Sequence, residues 1–546
     1  MRTNRRRFML GTGAALLPVV PLTRRANSDP GATAGQGQRP EPSPESVLET
    51  VGVGSAVFSV RQFGARGDGT VRDTSAIQAA IDAAGRAGGR VCLPPGRYRS
   101  GTVRLRSHVT LQLEAGATLL ASPDPADFHS KEALSYRSFD DDETTYFHHA
   151  LVRGTDLEDV TILGPGGIDG NRSKRGGPKL VALKQCRQIR IRDLNMYHAP
   201  NYNLSLLGCD DVDITGVTIR QGYCDGIDPD SCRNVRIAQC DIESWDDAIV
   251  PKASTALGVP RATANLTVTN CVLTTGCNAL KLGTESHGGF QNIVFSNCAV
   301  FARRDLWKQP PTSGVSLETV DGGLLEGVVV SNIVMADVDA PIFIRLGNRG
   351  RGQASPRPEG LRNVSISGLV AVGAGLASSI TGIPGHPVRG VTLQNVRITA
   401  RGGGDAALAR AAVPELEDKY PDADMFGQLP AYGLFCRHVA GLTLDGVTLD
   451  CERPDGRPAL IVDDVQELDL HMVLAAPPAS DEPALWLREV RDGFLQGLRT
   501  RPGTRRYLRL SGGGTARIRM AANDFTGAEV PLVVDRDVPR RAWRRA

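Results

Sequence analysis

The sequence predicts an all-β fold, a right-handed parallel β-helix with one N-terminal capping helix, and three observations lead there. Cys186, Cys209 and Cys232 open the related patterns "CRQIRI", "CDDVDI" and "CRNVRI" in two successive steps of 23 residues. The pattern continues as "LEDVTI" from Leu157, "FQNIVF" from Phe290, "LEGVVV" from Leu325 and "LRNVSI" from Leu361, then from Val388, Val439, Val465 and Val490. Val, Ile, Leu and Thr alternate within each unit, and no helical period of useful length competes. Repeats of this length mean stacked supersecondary units. Three strands of about five residues with short turns need roughly 20–27 residues, one coil per repeat.

The elements follow in chain order. "TNRRRFMLGTGAALLPVVPL" joins an arginine cluster, Arg5 to Arg7, to an apolar run too short to span a bilayer. It reads as a twin-arginine-type export signal over residues 1–34, with an amphipathic N-terminal anchor as the other reading. Residues 35–55, rich in Pro, Gly, Ser and Ala, read as a flexible spacer. The β-helix is expected over 56–530 as one domain, with a basic tail at 531–546. "DTSAIQAAIDAAGRAG" is the one convincing amphipathic helix, N-capped by Asp73 or Thr74, stopped by Gly88-Gly89, and suited to cover the open end of the coil core.

Steps longer than 23 residues mark insertions, the longest being "GGGDAALARAAVPELEDKYPDADMFGQLPAYG" before Val439. Such loops usually wall a binding groove. The eleven cysteines form no CxxC pair or zinc spacing. Stacking places Cys186, Cys209 and Cys232 in an internal ladder, where buried thiols are preferred over disulfides. The formal net charge is +3. Setting aside the six arginines among the first 25 residues and the four among the last seven leaves a body near −7. No nucleic-acid footprint is present, and no segment is long enough for a membrane span.

Offsets from each coil start align Asn201, Asp225, the adjacent Asp246 and Asp247, and Asn278 on one face, with Tyr223 and Trp245 beside them. Clustered carboxylates raise one another's pKa, so an acid and a base can coexist at one pH. That is what acetal hydrolysis needs. Calcium binding is the competing chemistry for an aspartate cluster, although neither a metal nor another cofactor is expected.

The stretches "VRQFGARGDGTVRDTSAIQAAIDAAGRAGG", "GPGGIDGN" and "DGIDPDSCRNVRIAQCDIESWDDAIVPKAS" resemble glycoside hydrolase family 28. This is the polygalacturonase family of the pectin-lyase-like β-helix superfamily. The resemblance runs from about Phe58 to at least Arg349. It implies metal-free, inverting cleavage of α-linked pectic glycosides, with Asp225, Asp246 and Asp247 as catalytic residues and Asp246 as general acid. Tyr223-Cys224 stand where the family has Asn-Thr, Cys277 or Asn278 where it has a histidine, and Ser316 and Glu318 where it has Arg-x-Lys. That motif grips a galacturonate carboxylate. Glu318 is expected to accept hydrogen bonds from neutral-sugar hydroxyls, and Lys281 to pair with Glu318 or with an acidic substrate. Arg345 is expected near the groove, His287 on its rim, and Trp307, Trp245 and Tyr223 as sugar-stacking surfaces.

The expected partner is a pectic polysaccharide or oligosaccharide, the expected compartment periplasmic or extracellular, and the expected state a monomer. A polysaccharide lyase and a catalytically altered carbohydrate-binding protein are the alternatives.

Overall fold

The repeat register read from the sequence is the register of the coils. The structure, a computed structural model, describes residues 56–172, 174–306 and 309–545. The expected signal and spacer, together with Trp307, lie outside the described residues. Strand ladders are parallel from Val57–Ser59 to Trp543–Arg545. One ladder runs Val160, Ile189, Val212, Val235, Leu266, Ile293, Val328, Val364, Val391, Leu442 and Leu468, each beside the next. All are buried, each stabilising the fold by about 1.5–3 kcal/mol. Successive parallel strands joined through the other faces of the coil give a right-handed parallel β-helix.

Left-handed backbone at the turn between two faces explains the polar residue in each repeat. Asn234, Asn265 and Asn292 all adopt φ of 57°, which asparagine tolerates better than most residues. Their side chains stack: Asn265 Nδ2 donates to Asn234 Oδ1 and Asn292 Nδ2 to Asn265 Oδ1, each at 3.0 Å.

Cys186, Cys209 and Cys232 are buried and stacked, with Cys209 N donating to Cys232 Sγ at 3.3 Å. A second buried ladder, Cys240, Cys271 and Cys298, lies on another face. All eleven thiols are free.

Helix α1 spans Thr74–Ala87 and buries Ile77, Ala80, Ile81 and Ala84 against the first coils. Asp73 precedes it but does not cap it with its side chain. Its carboxylate instead accepts hydrogen bonds from Arg66 N at 2.7 Å and Gly67 N at 2.9 Å, fixing the loop before the helix. The chain does not become a tail at residue 531. Ala528–Val534 pairs with Thr504–Ser511, and Trp543–Arg545 pairs with Ile518–Ala521, so the last coil closes at the C-terminus. Trp543 covers apolar surface there that a solvated tail would leave open.

The face that carries the site is built from Lys179–Lys184, Leu204–Leu207 and Ile227–Asp230. Single bridges through Ile249 continue it to Asn278–Leu282, Ser313–Thr319 and Ala340–Leu346.

Candidate active site

Asp225 lies two residues before the strand Ile227–Asp230 of this face, and Asp246-Asp247 occupy the corresponding turn one coil on. Gly226 N donates to Asp247 O and Ala248 N to Asn278 O, both at 2.9 Å, which fixes the aspartates one coil apart. Ser244 Oγ holds the intervening turn by donating to Asp246 O at 2.9 Å and Asp247 O at 3.2 Å.

Each carboxylate has a different environment. Asp225 is buried, and its Oδ2 lies 2.9 Å from the ammonium of Lys252. That ammonium is also 2.7 Å from Asp228 and donates to Tyr202 OH at 2.8 Å. Burial pushes the Asp225 carboxyl well above the usual carboxylate range, against the pull of Lys252. With a single ammonium between two buried carboxyls, the Asp225–Asp228 pair retains a proton that isolated aspartates would lose. Asp247 is the reverse case. Burial would raise it too, but Lys281 Nζ at 3.1 Å and two hydrogen bonds from Asn278, N at 3.0 Å and Nδ2 at 2.8 Å, hold it below the usual range. Asp246 is the most exposed of the three. Its Oδ1 accepts from Asp247 N at 3.1 Å, and its Oδ2 accepts from Arg175 Nη1 at 2.5 Å. The cleft therefore holds three carboxyls in three environments: an anionic Asp247, a proton-retaining Asp225–Asp228 pair and an accessible Asp246.

Tyr223 and Trp245 flank these residues with ring centroids 5.9 Å apart, edge to face, and Trp245 is 56% exposed, an accessible apolar platform. Glu318 does not face the groove. It is fully buried, accepts from Ser316 Oγ at 2.5 Å and Thr284 Oγ1 at 3.2 Å, and lies 3.9 Å from Lys281 Nζ. Burial pushes it up to about 7. It cannot reach a sugar hydroxyl, because its strand points that side chain beneath Lys281. The Lys281–Glu318 pairing is present, with the closer contact of Lys281 made to Asp247.

Arg345 is also buried away from the cleft. Its guanidinium donates to the carbonyls of Gly382 at 3.1 Å, Glu415 at 2.6 Å and Leu416 at 3.1 Å. The long insertion supplies carbonyls that the repeat pattern does not foreshadow. His287 Nε2 meets the Arg351 carbonyl at 2.7 Å and so braces a neighbouring loop. Asn201 lies off the ladder, beside Gly177. The register puts Tyr202 on the rung beside Asp225, and the adjacent Asn203 donates from both N and Nδ2 to Asp225 O at 3.0 Å.

Several residues around the cleft escaped the sequence reading: Lys252, Tyr202, Arg175, Arg351 and Tyr420 line it with the carboxylates. Lys252 carried a signal, a lone lysine in the apolar run "AIVPKAS". Arg175 and Tyr420 come from segments with no repeat register.

Ligand atoms of Cys224, Asp225 and Asp246, and of Asp246, Asp247 and Cys277, lie within 4.8 Å of one another. Mixed thiol–carboxylate sets suit a softer ion than the all-oxygen ligands calcium takes. Asp225 and Asp247 already carry lysine partners.

The description "Glycosyl hydrolases family 28" matches residues 134–414, and "Rhamnogalacturonase A/epimerase, pectate lyase-like" matches 57–124. A probable polygalacturonase of Vitis vinifera is 27% identical over 370 residues, 62% of this chain and 74% of the relative. An endo-polygalacturonase of Pectobacterium carotovorum is 26% identical over 302 residues, 50% of this chain and 71% of the relative. Among solved structures, the family 28 exopolygalacturonase of Yersinia enterocolitica superposes with a TM-score of 0.58 at 18% identity, over 77% of this chain and 78% of that one. The exopolygalacturonase of Thermotoga maritima gives 0.55 at 21% identity, over 63% and 87%. These two likenesses bear on the fold. The family match spans half the chain and contains the whole carboxylate cluster, and on that ground the chain belongs to glycosyl hydrolases family 28.

Proposed function

We propose that the protein is an exported hydrolase of pectic glycosides that works by inversion with a three-carboxylate site. One observation carries the chemistry: Lys281 and Asn278 hold Asp247 as an anion fit to be the base, directly beside the more accessible Asp246. The pectic substrate is supported by the relatives, which are polygalacturonases by name. Export rests on the arginine cluster and apolar run of the N-terminus, and no helix among the described residues is long and apolar enough to cross a membrane.

In this reading Asp246 protonates the glycosidic oxygen as the anomeric carbon–oxygen bond breaks. A water adds to that carbon and gives its proton to Asp247, with Asp225 orienting the water. One proton leaves the acid and one enters the base, so the site is restored by a net exchange with solvent. Inversion follows from the resemblance, not from spacing. The nearest oxygens here are within 4.8 Å, closer than the roughly 6.5–9.5 Å of a two-carboxylate inverting pair. Proton NMR of the first-formed anomer reads the outcome directly, and a retained configuration would sink this assignment.

The test of the acid is Asp246→Asn. Its exposure permits the change without burying an unpaired group, so the melting temperature should hold. Release of reducing ends from galacturonan should fall by about 10²–10⁴-fold. Full activity in this variant would exclude Asp246 as the acid.

A further inference from the structure

In the free protein each oxygen of Asp246 accepts one hydrogen bond. Oδ1 accepts from the Asp247 backbone N–H at 3.1 Å, and Oδ2 accepts from Arg175 Nη1 at 2.5 Å. The guanidinium competes with a glycosidic oxygen for Oδ2, so donation of a proton from that oxygen requires Arg175 to shift away from it. Arg175 is built to do so without leaving the cleft. Its guanidinium is anchored from the other side by Glu143 on the short helix α2 (Asp142–Thr145), with Nε donating to Oε1 at 3.0 Å and Nη2 to Oε2. Glu143 is half-buried, whereas the Arg175 side chain is 48% exposed and belongs to the loop between Gly167–Asp169 and Lys179–Lys184. One edge of the planar fork is thus fixed, and the Nη1 edge can trade partners.

The substrate group that trades best for a carboxylate on a guanidinium is another carboxylate. By the resemblance, Ser316 and Glu318 stand where the family has its carboxylate grip, and Glu318 is buried. We propose that Arg175 is a substrate-displaced latch: a uronic acid carboxylate entering the cleft takes Nη1 from Asp246, and this exchange both selects the acidic sugar and frees the catalytic acid. The inference rests on the pectic reading above and adds to it the residue that recognises the charge. It makes uronate binding and activation of the acid one event. A neutral sugar of the same shape would bind with the latch still closed.

The experiment compares trigalacturonate with its methyl ester, which keeps the linkage and removes the charge. Wild type should prefer the free acid. In Arg175→Gln that preference should fall by about tenfold or more, the weight of one charge-assisted hydrogen bond. The change should come through a raised KM for the acid together with faster turnover of the ester, because Oδ2 is then permanently open. Arg175→Lys, which keeps the charge but loses the fork, should restore part of the acid preference. A merely structural arginine would lower both substrates alike, and an unchanged acid-to-ester ratio in Arg175→Gln overturns the latch while leaving the pectic reading intact. Failure of wild type to cleave either trimer or galacturonan overturns the pectic reading, and the latch with it.

Discussion

Lys281 lies between two carboxyls and has opposite success with them. Its ammonium holds Asp247 ionised at 3.1 Å and faces Glu318 at 3.9 Å. In Lys281→Met the stem is kept and the charge removed, so burial acts on Asp247 with only the Asn278 bonds opposing it. A base must be ionised to work, so the acidic limb of the kcat/KM profile should move up by about one pH unit or more. An unmoved limb would show that Asp247 is not the base. Glu318 gives a stability signal of the opposite kind. Its pKa rises from 4.5 to about 7 in the fold, from burial outweighing Lys281. Between those values the native state binds more protons than the unfolded chain, so stability falls as pH rises through this window, by about 3 kcal/mol for this one group. Glu318→Gln should flatten that part of the denaturation-midpoint profile, and a slope identical to wild type would contradict the burial argument. Asp225, Asp246 and Asp247 were legible in the sequence because they hold fixed offsets from the coil starts. The wrong expectation for Glu318 had a definite source. Position along a strand gives the rung but not the depth, and that side chain lies under the lysine rather than in the groove.

The coils were readable at the level of elements because a period of two inside a period near 23 leaves little freedom in strand register. Insertions obey neither period, so the elements that finish the site were not readable. Arg345 shows how such an element is secured. Its buried guanidinium gathers the carbonyls of Gly382, Glu415 and Leu416, while Arg437 gathers Val413 O at 2.7 Å and Pro414 O at 2.9 Å. These two arginines fasten the start of the segment that carries Tyr420 to the cleft, where its ring lies 5.7 Å from Lys281 Nζ. In Arg345→Met the carbonyls lose their donors and a buried side chain loses its partners. Each unmet buried group costs about 1–3 kcal/mol. The segment 401–433 should then exchange its amide hydrogens and admit protease faster than the coils do, with KM rising more than kcat falls. Uniform protection across coils and insertion would show that the segment is held by other means.

At the scale of the whole molecule, three segments from distant parts of the chain join into a wall around the carboxylates. The segment before Ala150 reaches the turn at Thr255: Asp140 Oδ2 accepts from Thr255 N at 2.7 Å, and Tyr136 OH donates to Ala256 O at 2.7 Å. It also meets the loop of residues 347–359. There Gly352, at φ of 75°, lies so close to the Phe139 ring that an added Cβ would be 2.2 Å from it. That loop is tied in turn to the long insertion, with Asn348 N donating to Glu417 O at 2.6 Å. Arg175 bridges Glu143 to Asp246 on the remaining side. An open groove would let a polymer lie across the aspartates, whereas segments joined in this way favour entry of a chain by its end, an outcome that the early products test. Hydrolysis of long galacturonan should therefore release one short product size from the first minutes, with viscosity falling slowly relative to reducing ends. A broad ladder of early products would mean that the rim is open to the polymer. Gly352→Leu supplies the complementary test. Its side chain cannot share space with Phe139 and is strained at that φ, so the loop must move off the rim. Internal cleavage should appear in this variant as a faster viscosity drop per bond broken.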